Sequence, residues 1–90
     1  MFKSADELLE EFGFEKLYED KHGAYYNRKN EKYNYVQRLD ILYKQNGSHL
    51  AQSYIEISNS DGFNNCVGLT YLELKATMRK YRELKRKYRW

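Results

Sequence analysis

Two helix-start signatures of the same kind bracket a long stretch of opposite periodicity. Ser4 and Glu7 stand three apart at the head of SADELLEEFGF, and Thr70 and Glu73 stand three apart within LTYLEL. At that spacing the hydroxyl accepts from the amide of the third helical residue, while the carboxylate reaches back to the amide of the cap, so two otherwise orphaned N–H groups are satisfied together. Between the two signatures, from Phe14 to Ser58, apolar residues recur with a period of 2 rather than 3.6. Helix, antiparallel strands, helix is the order this punctuation imposes.

The first helix is expected over 5–12, where Ala5, Leu8, Leu9 and Phe12 share a face and Gly13 can take the left-handed cap that a Cβ would oppose. Strands are expected at 15–19, 24–28, 33–43 and 49–58, separated by DKHG, KNEK and QNGS. Tyr33, Tyr35, Leu39, Ile41 and Tyr43 fall on one face of the third strand, and Ala51, Ile55 and Ile57 on one face of the fourth. A two-residue Asn46–Gly47 turn would put these two apolar sets on opposite faces; a three-residue loop with Gly47 at the bulge position pairs Ile41 with Ala51 and Tyr35 with Ile57. The second is preferred. Residues 58–68 read as a loop. The fold class is therefore α+β, a single domain over 1–90 with a short N-terminal helix, a three- to four-stranded antiparallel sheet and a long basic C-terminal helix packed on it.

On a helical wheel centred on Leu74, Tyr71, Leu74, Met78, Tyr81, Leu84 and Tyr88 fall between about +60° and −80°, which predicts that this face packs on the sheet, with Leu69 and Leu74 as a hydrophobic staple. Lys75, Arg79, Arg82, Arg86 and Arg89 fall between about 60° and 140° and form a continuous basic stripe beside it. Residues 75–90 hold eight of the sixteen lysines and arginines and one acid, net +7, which leaves 1–74 at −4 from a total of +3. The first twenty residues carry seven acids against two lysines. Opposite charges at the two ends can dock them on each other or present two differently charged faces to partners.

Little in the chain suggests catalysis. His22 and His49 lie in or beside predicted turns, where solvation or a local hydrogen bond accounts for them, and no Cys/His cluster has metal-ligand spacing. Cys66 sits in a polar loop without a histidine beside it and reads as an ordinary thiol. The glycines form no phosphate-binding pattern. We expect no enzyme and no cofactor. One cysteine and the lack of any long apolar run suggest a cytoplasmic protein without a membrane span. Ten tyrosines among ninety residues make much of the core aromatic, and Tyr25, Tyr26, Tyr33 and Tyr35 are denser than a minimal core requires. They either cover the sheet or form a recognition surface of large area and low entropic cost. The basic stripe is either a solvated face, helped by the helix dipole, or a site for something negative, since aligned cations repel one another across successive turns.

SADELLEEFGFEKL together with the run Thr70-x-x-Glu73-Leu74-x-Ala76, continuing to Lys80, Glu83 and Leu84, resembles the two ends of a group of small, mostly uncharacterised proteins encoded in phages and prophages of Firmicutes. Those proteins share a short helix ending in Gly-aromatic, a few antiparallel strands and a C-terminal helix. The likeness covers about thirty residues. In that group the last helix usually stops soon after the position of Leu84 with Gly-Trp; here RKYR precedes Trp90 and carries the basic stripe onward. The resemblance implies a phage or prophage accessory protein, a class that includes small inhibitors of host defence.

Three functions follow as expectations. The first is a non-catalytic binding protein acting on a host protein or ribonucleoprotein, in its sharpest form an anti-defence protein such as an anti-CRISPR, through Lys75, Arg79, Arg82, Arg86, Arg89, Tyr25, Tyr26, Tyr33 and Tyr35. The second is a small nucleic-acid-binding protein whose stripe tracks phosphates while tyrosines stack on bases. The third is self-assembly, the basic helix of one copy on the acidic helix of another.

Overall fold

The computed structural model describes residues 3–32, 34–43, 49–56 and 65–90. Helix α1 (Ala5–Glu11) starts at Ser4 with the reciprocal cap in place, and it closes through Gly13 at φ 93°, whose N–H donates to the Glu10 carbonyl while Phe14 N–H donates to that of Leu9. Strands β1 (Glu15–Asp20), β2 (Gly23–Asn30), β3 (Tyr35–Tyr43) and β4 (His49–Glu56) then form an antiparallel meander in chain order. Gly23 is required at the β1–β2 turn: its φ is 154°, and a Cβ there would stand 2.3 Å from the Ile41 carbonyl oxygen.

Ile41 pairs with Ala51, the register that places the apolar sets of β3 and β4 on one face. The 45–47 loop proposed to set it, together with Tyr33 and Ile57, lies outside the described residues. A two-residue strand β5 (Asn65–Cys66), within the segment expected to be loop, adds to β4 opposite Tyr54 and Ile55. Helix α2 (Tyr71–Tyr88) starts at the expected cap, Thr70, and ends at Arg89 in the left-handed region. Among the described residues no helix is long and apolar enough to cross a membrane.

Both helices lie on the same side of the sheet. Leu9, Phe14, Ala24, Tyr26, Leu39, Ile41, Ala76 and Leu84 form the core between them, with Leu8, Phe12, Leu69, Tyr81, Tyr88 and Trp90 packed at its margin. The helix-facing surface of the sheet is only partly apolar, however. Glu19, Arg28 and Gln37 point to the same side as Ala24, Tyr26 and Leu39, and this decides how α2 sits.

Candidate functional site

α2 is turned by roughly 90° about its axis from the orientation that its apolar residues predict. Its buried residues are Glu73, Ala76, Thr77, Lys80 and Leu84. Tyr71, Leu72, Leu74 and Met78 are exposed to 73%, 59%, 47% and 43%. Leu74 is therefore no core anchor. Leu69 reaches the core margin, so the staple keeps one of its two members inside.

The turn brings two charged side chains into matched surroundings. The Lys80 ammonium lies 2.7 Å from Glu19 Oε1 on β1, 3.2 Å from Asp6 Oδ2 on α1 and 3.9 Å from Glu83 Oε2. Lys16 adds a second cation, 3.1 Å from Asp6 and 3.5 Å from Glu19. Lys87 Nζ and the Tyr88 hydroxyl both donate to Glu19 Oε2 at 2.9 Å, and Tyr26 donates to Asp6 Oδ1 at 2.5 Å. Burial works to raise the Glu19 carboxyl, yet hydrogen bonds from Lys80, Lys87 and Tyr88 prevail and hold it at about 2. Asp6 is also lowered, burial being outweighed by Tyr26, Lys16 and Lys80. The buried Tyr26 phenol, facing that carboxylate, is pushed well above the usual tyrosine range.

At the other end of α2, Arg28 donates to the Phe12 carbonyl at 2.9 Å, to Glu73 Oε2 at 2.6 Å and to Gln37 Oε1 at 2.6 Å, and its guanidinium lies 4.3 Å from the centre of the Phe14 ring. Gln37 passes the network to Ser53. Burial again opposes ionisation of Glu73, but the Thr70 amide and Arg28 lower its carboxyl. The acidic and basic ends thus dock on each other, through Asp6 and Glu19 with Lys80 and Lys87.

The remaining cations of α2 stay outside. Lys75, Arg82, Arg86 and Arg89 are exposed and Arg79 half-exposed, and among the described residues Arg79, Arg82 and Arg86 enter no ion pair. The Lys75 ammonium lies 5.5 Å from the centre of the Tyr71 ring. The stripe exists as expected, but what lies beside it on the surface is the apolar row that was assigned to the core. Between this row and β4 runs a groove of about 170 Å³ lined by His49, Leu50, Ala51, Thr77, Met78 and Tyr81. His49 Nδ1 there is hydrogen-bonded at 2.5 Å to the Tyr81 hydroxyl, a contact between distant parts of the chain where solvation or a local bond was expected.

The tyrosines do not converge on the stripe. Tyr26 is a core residue and drops out as a contact candidate. Tyr35, half-buried on the helix side, accepts from Asn30. Tyr25 lies on the opposite face of the sheet, stacked on Tyr18 with ring centres 4.5 Å apart; burial and its neighbour Tyr18 raise its phenol to about 12. The sheet separates it from the outward side of α2, so one flat partner cannot touch both. Leu17, Tyr18 and Leu72, which sequence reasoning did not single out, and Tyr71, Leu74 and Met78, which it assigned to the core, all lie on the surface. Searches against family models, curated proteins and solved structures found no match to this chain.

Proposed function

We propose that the chain is a non-catalytic binding protein whose outward α2 face docks on an acidic macromolecular partner. The observation that carries this reading is the orientation of α2, which buries Glu73 and Lys80 and leaves Tyr71, Leu74 and Met78 on the surface beside Lys75, Arg79, Arg82 and Arg86. An exposed apolar row is the informative departure from ordinary burial. Tyrosine, methionine and arginine are also the residues enriched in protein interfaces, where arginine holds carboxylates in a planar fork. The resemblance of the two ends to phage and prophage proteins supports a host macromolecule as the partner, and inhibition of a host defence complex, such as a CRISPR ribonucleoprotein, as the sharpest form of the reading.

Capture from a Firmicutes lysate, with and without nuclease, tests it. A partner that survives nuclease and is lost when Arg79, Arg82, Arg86 and Arg89 are all changed to Gln is expected; Gln keeps helix propensity while removing charge. Equal capture by the wild type and the quadruple variant would reduce the stripe to a solvated face. A second reading, contact with nucleic acid, is favoured by the arginines at three- and four-residue intervals without partners in the described chain. Four phosphate contacts would give a log–log salt slope near about −3 to −4, flattened in the quadruple variant.

A further inference from the structure

The groove beside α2 borders an open stretch of sheet edge. Among the described residues β5 pairs with β4 at Tyr54 and Ile55, and Val67 N–H donating to the Ser53 carbonyl at 3.1 Å is the last backbone bond on that side. Consecutive strand residues direct their N–H and C=O groups to opposite sides. Ala51 and His49 therefore turn theirs the same way as Ser53, away from β3 and past the point where β5 gives way. Among the described residues no backbone group meets those of Ala51 there. Ala51 is itself exposed, so its side chain does not close the edge.

From this and the lining of the groove we infer that residues 49–52 of β4 receive an extended segment of a partner protein as an added strand, one that carries apolar and acidic residues in alternation. This rests on the reading of α2 as a docking face and names what docks. Backbone hydrogen bonds to Ala51 supply the register. Every second side chain of the incoming strand then enters the groove against Met78, Tyr81 and Ala51, which at about 170 Å³ suits a row of single side chains rather than a whole small molecule. Lys75, Arg79 and Arg82 stand one turn or less from Met78 and are the cations an acidic residue of that strand would meet. A helix offers no free backbone groups to Ala51, and a nucleic acid offers nothing to an apolar slot between Met78 and Leu50. A strand answers both features.

A yeast-displayed library of random ten-residue peptides, panned on the intact protein, provides the test. Selected peptides should alternate apolar and acidic residues, shift the Ala51 amide and the Met78 methyl in NMR spectra, and lose affinity about tenfold or more on Ala51→Pro and on Met78→Glu. Proline with its missing N–H turned to an open edge is compatible with a strand; Met78→Glu acts on a half-exposed side chain and is the check if the proline variant does not fold. Binders with apolar residues three and four apart, binders indifferent to both variants, or no binders at all would overturn the assignment. So would a concentration-dependent dimer abolished by Ala51→Pro, which would make a second copy the occupant. If lysate capture falls with the four-arginine variant but is untouched by Ala51→Pro and Met78→Glu, the docking face stands and strand addition fails. If none of the variants alters capture, both fall.

Discussion

On the side of α2 turned to the sheet stand Glu73, Thr77 and Lys80; on the side turned to solvent stand Tyr71, Leu74 and Met78. Each group on the inner side has a partner at hydrogen-bond or ion-pair distance: Arg28 and the Thr70 amide for Glu73, the Glu73 carbonyl for Thr77, and Asp6 and Glu19 for Lys80. Those on the outer side have none in the described chain beyond the contact of Lys75 with Tyr71. Taking charges out of water is costly, and a buried ion pair becomes tolerable only when every lone pair and proton around it is used. On the inner side each of these charges has an opposite charge within 4 Å, although Glu19 Oε1 is buried with ion pairs to Lys80 and Lys16 and no hydrogen bond of regular geometry. Matched charges rather than apolar area therefore fix the rotation of α2, and the apolar row is left available to something else.

The largest effect should come from breaking the inner match. Lys80→Met would leave Glu19 and Asp6 facing each other with only Lys16 and Lys87 nearby, and loss of one partner of a buried pair typically costs about 3–5 kcal/mol. Chemical denaturation measures this directly. A loss below about 1 kcal/mol would show that the Lys80 cluster does not hold the helix.

Acid should act on the same cluster more gradually. The Glu19 carboxyl is held at about 2 against an ordinary 4.5, so its contribution is present in full above about 4.5 and disappears as pH falls toward 2; the gap corresponds to about 3 kcal/mol. Asp6 and Glu73, both lowered, add losses of the same sign. Thermal midpoints measured from pH 5 to pH 2 should therefore fall, and Glu19→Gln should be less stable at pH 5 and flatter across that range. An unchanged slope in the variant would remove Glu19 as the main acid-labile group.

Local signals made most of the framework legible. Both reciprocal caps, the Gly13 closure, the change of period and the Ile41–Ala51 register are consequences of residues close in sequence or of a single turn, and all are present. The rotation of α2 was not legible from periodicity, because a wheel assumes that the surface awaiting the helix is apolar. Here that surface includes Glu19, Arg28 and Gln37, and the pairs that decide the matter join Asp6 to Lys80 and Arg28 to Glu73, contacts no local pattern reports. The charge asymmetry between the two ends was the one available sign. The stripe was readable because exposure of arginine needs no partner, whereas the burial of Tyr26 was not, because alternation says that neighbours such as Tyr25 and Tyr26 part ways without saying which of them goes inside.

The smallest effect on stability should come from the outer side, and it sharpens the contrast most. Leu74→Ser and Met78→Ser remove apolar groups that already meet water over 47% and 43% of their surface, so each should change stability by no more than about 0.5 kcal/mol. Leu84→Ala, on the inner side of the same helix and almost fully buried, should cost about 2–5 kcal/mol through lost transfer and the cavity left behind. Parallel melts of the three variants measure the ratio within one element. A loss above about 2 kcal/mol at Leu74 would mean that this side chain is packed after all and that α2 sits as its apolar pattern first suggested. A negligible loss, combined with weaker partner capture by Leu74→Ser, would assign the apolar row to binding, because a side chain that contributes little to folding yet is needed for association acts at the interface.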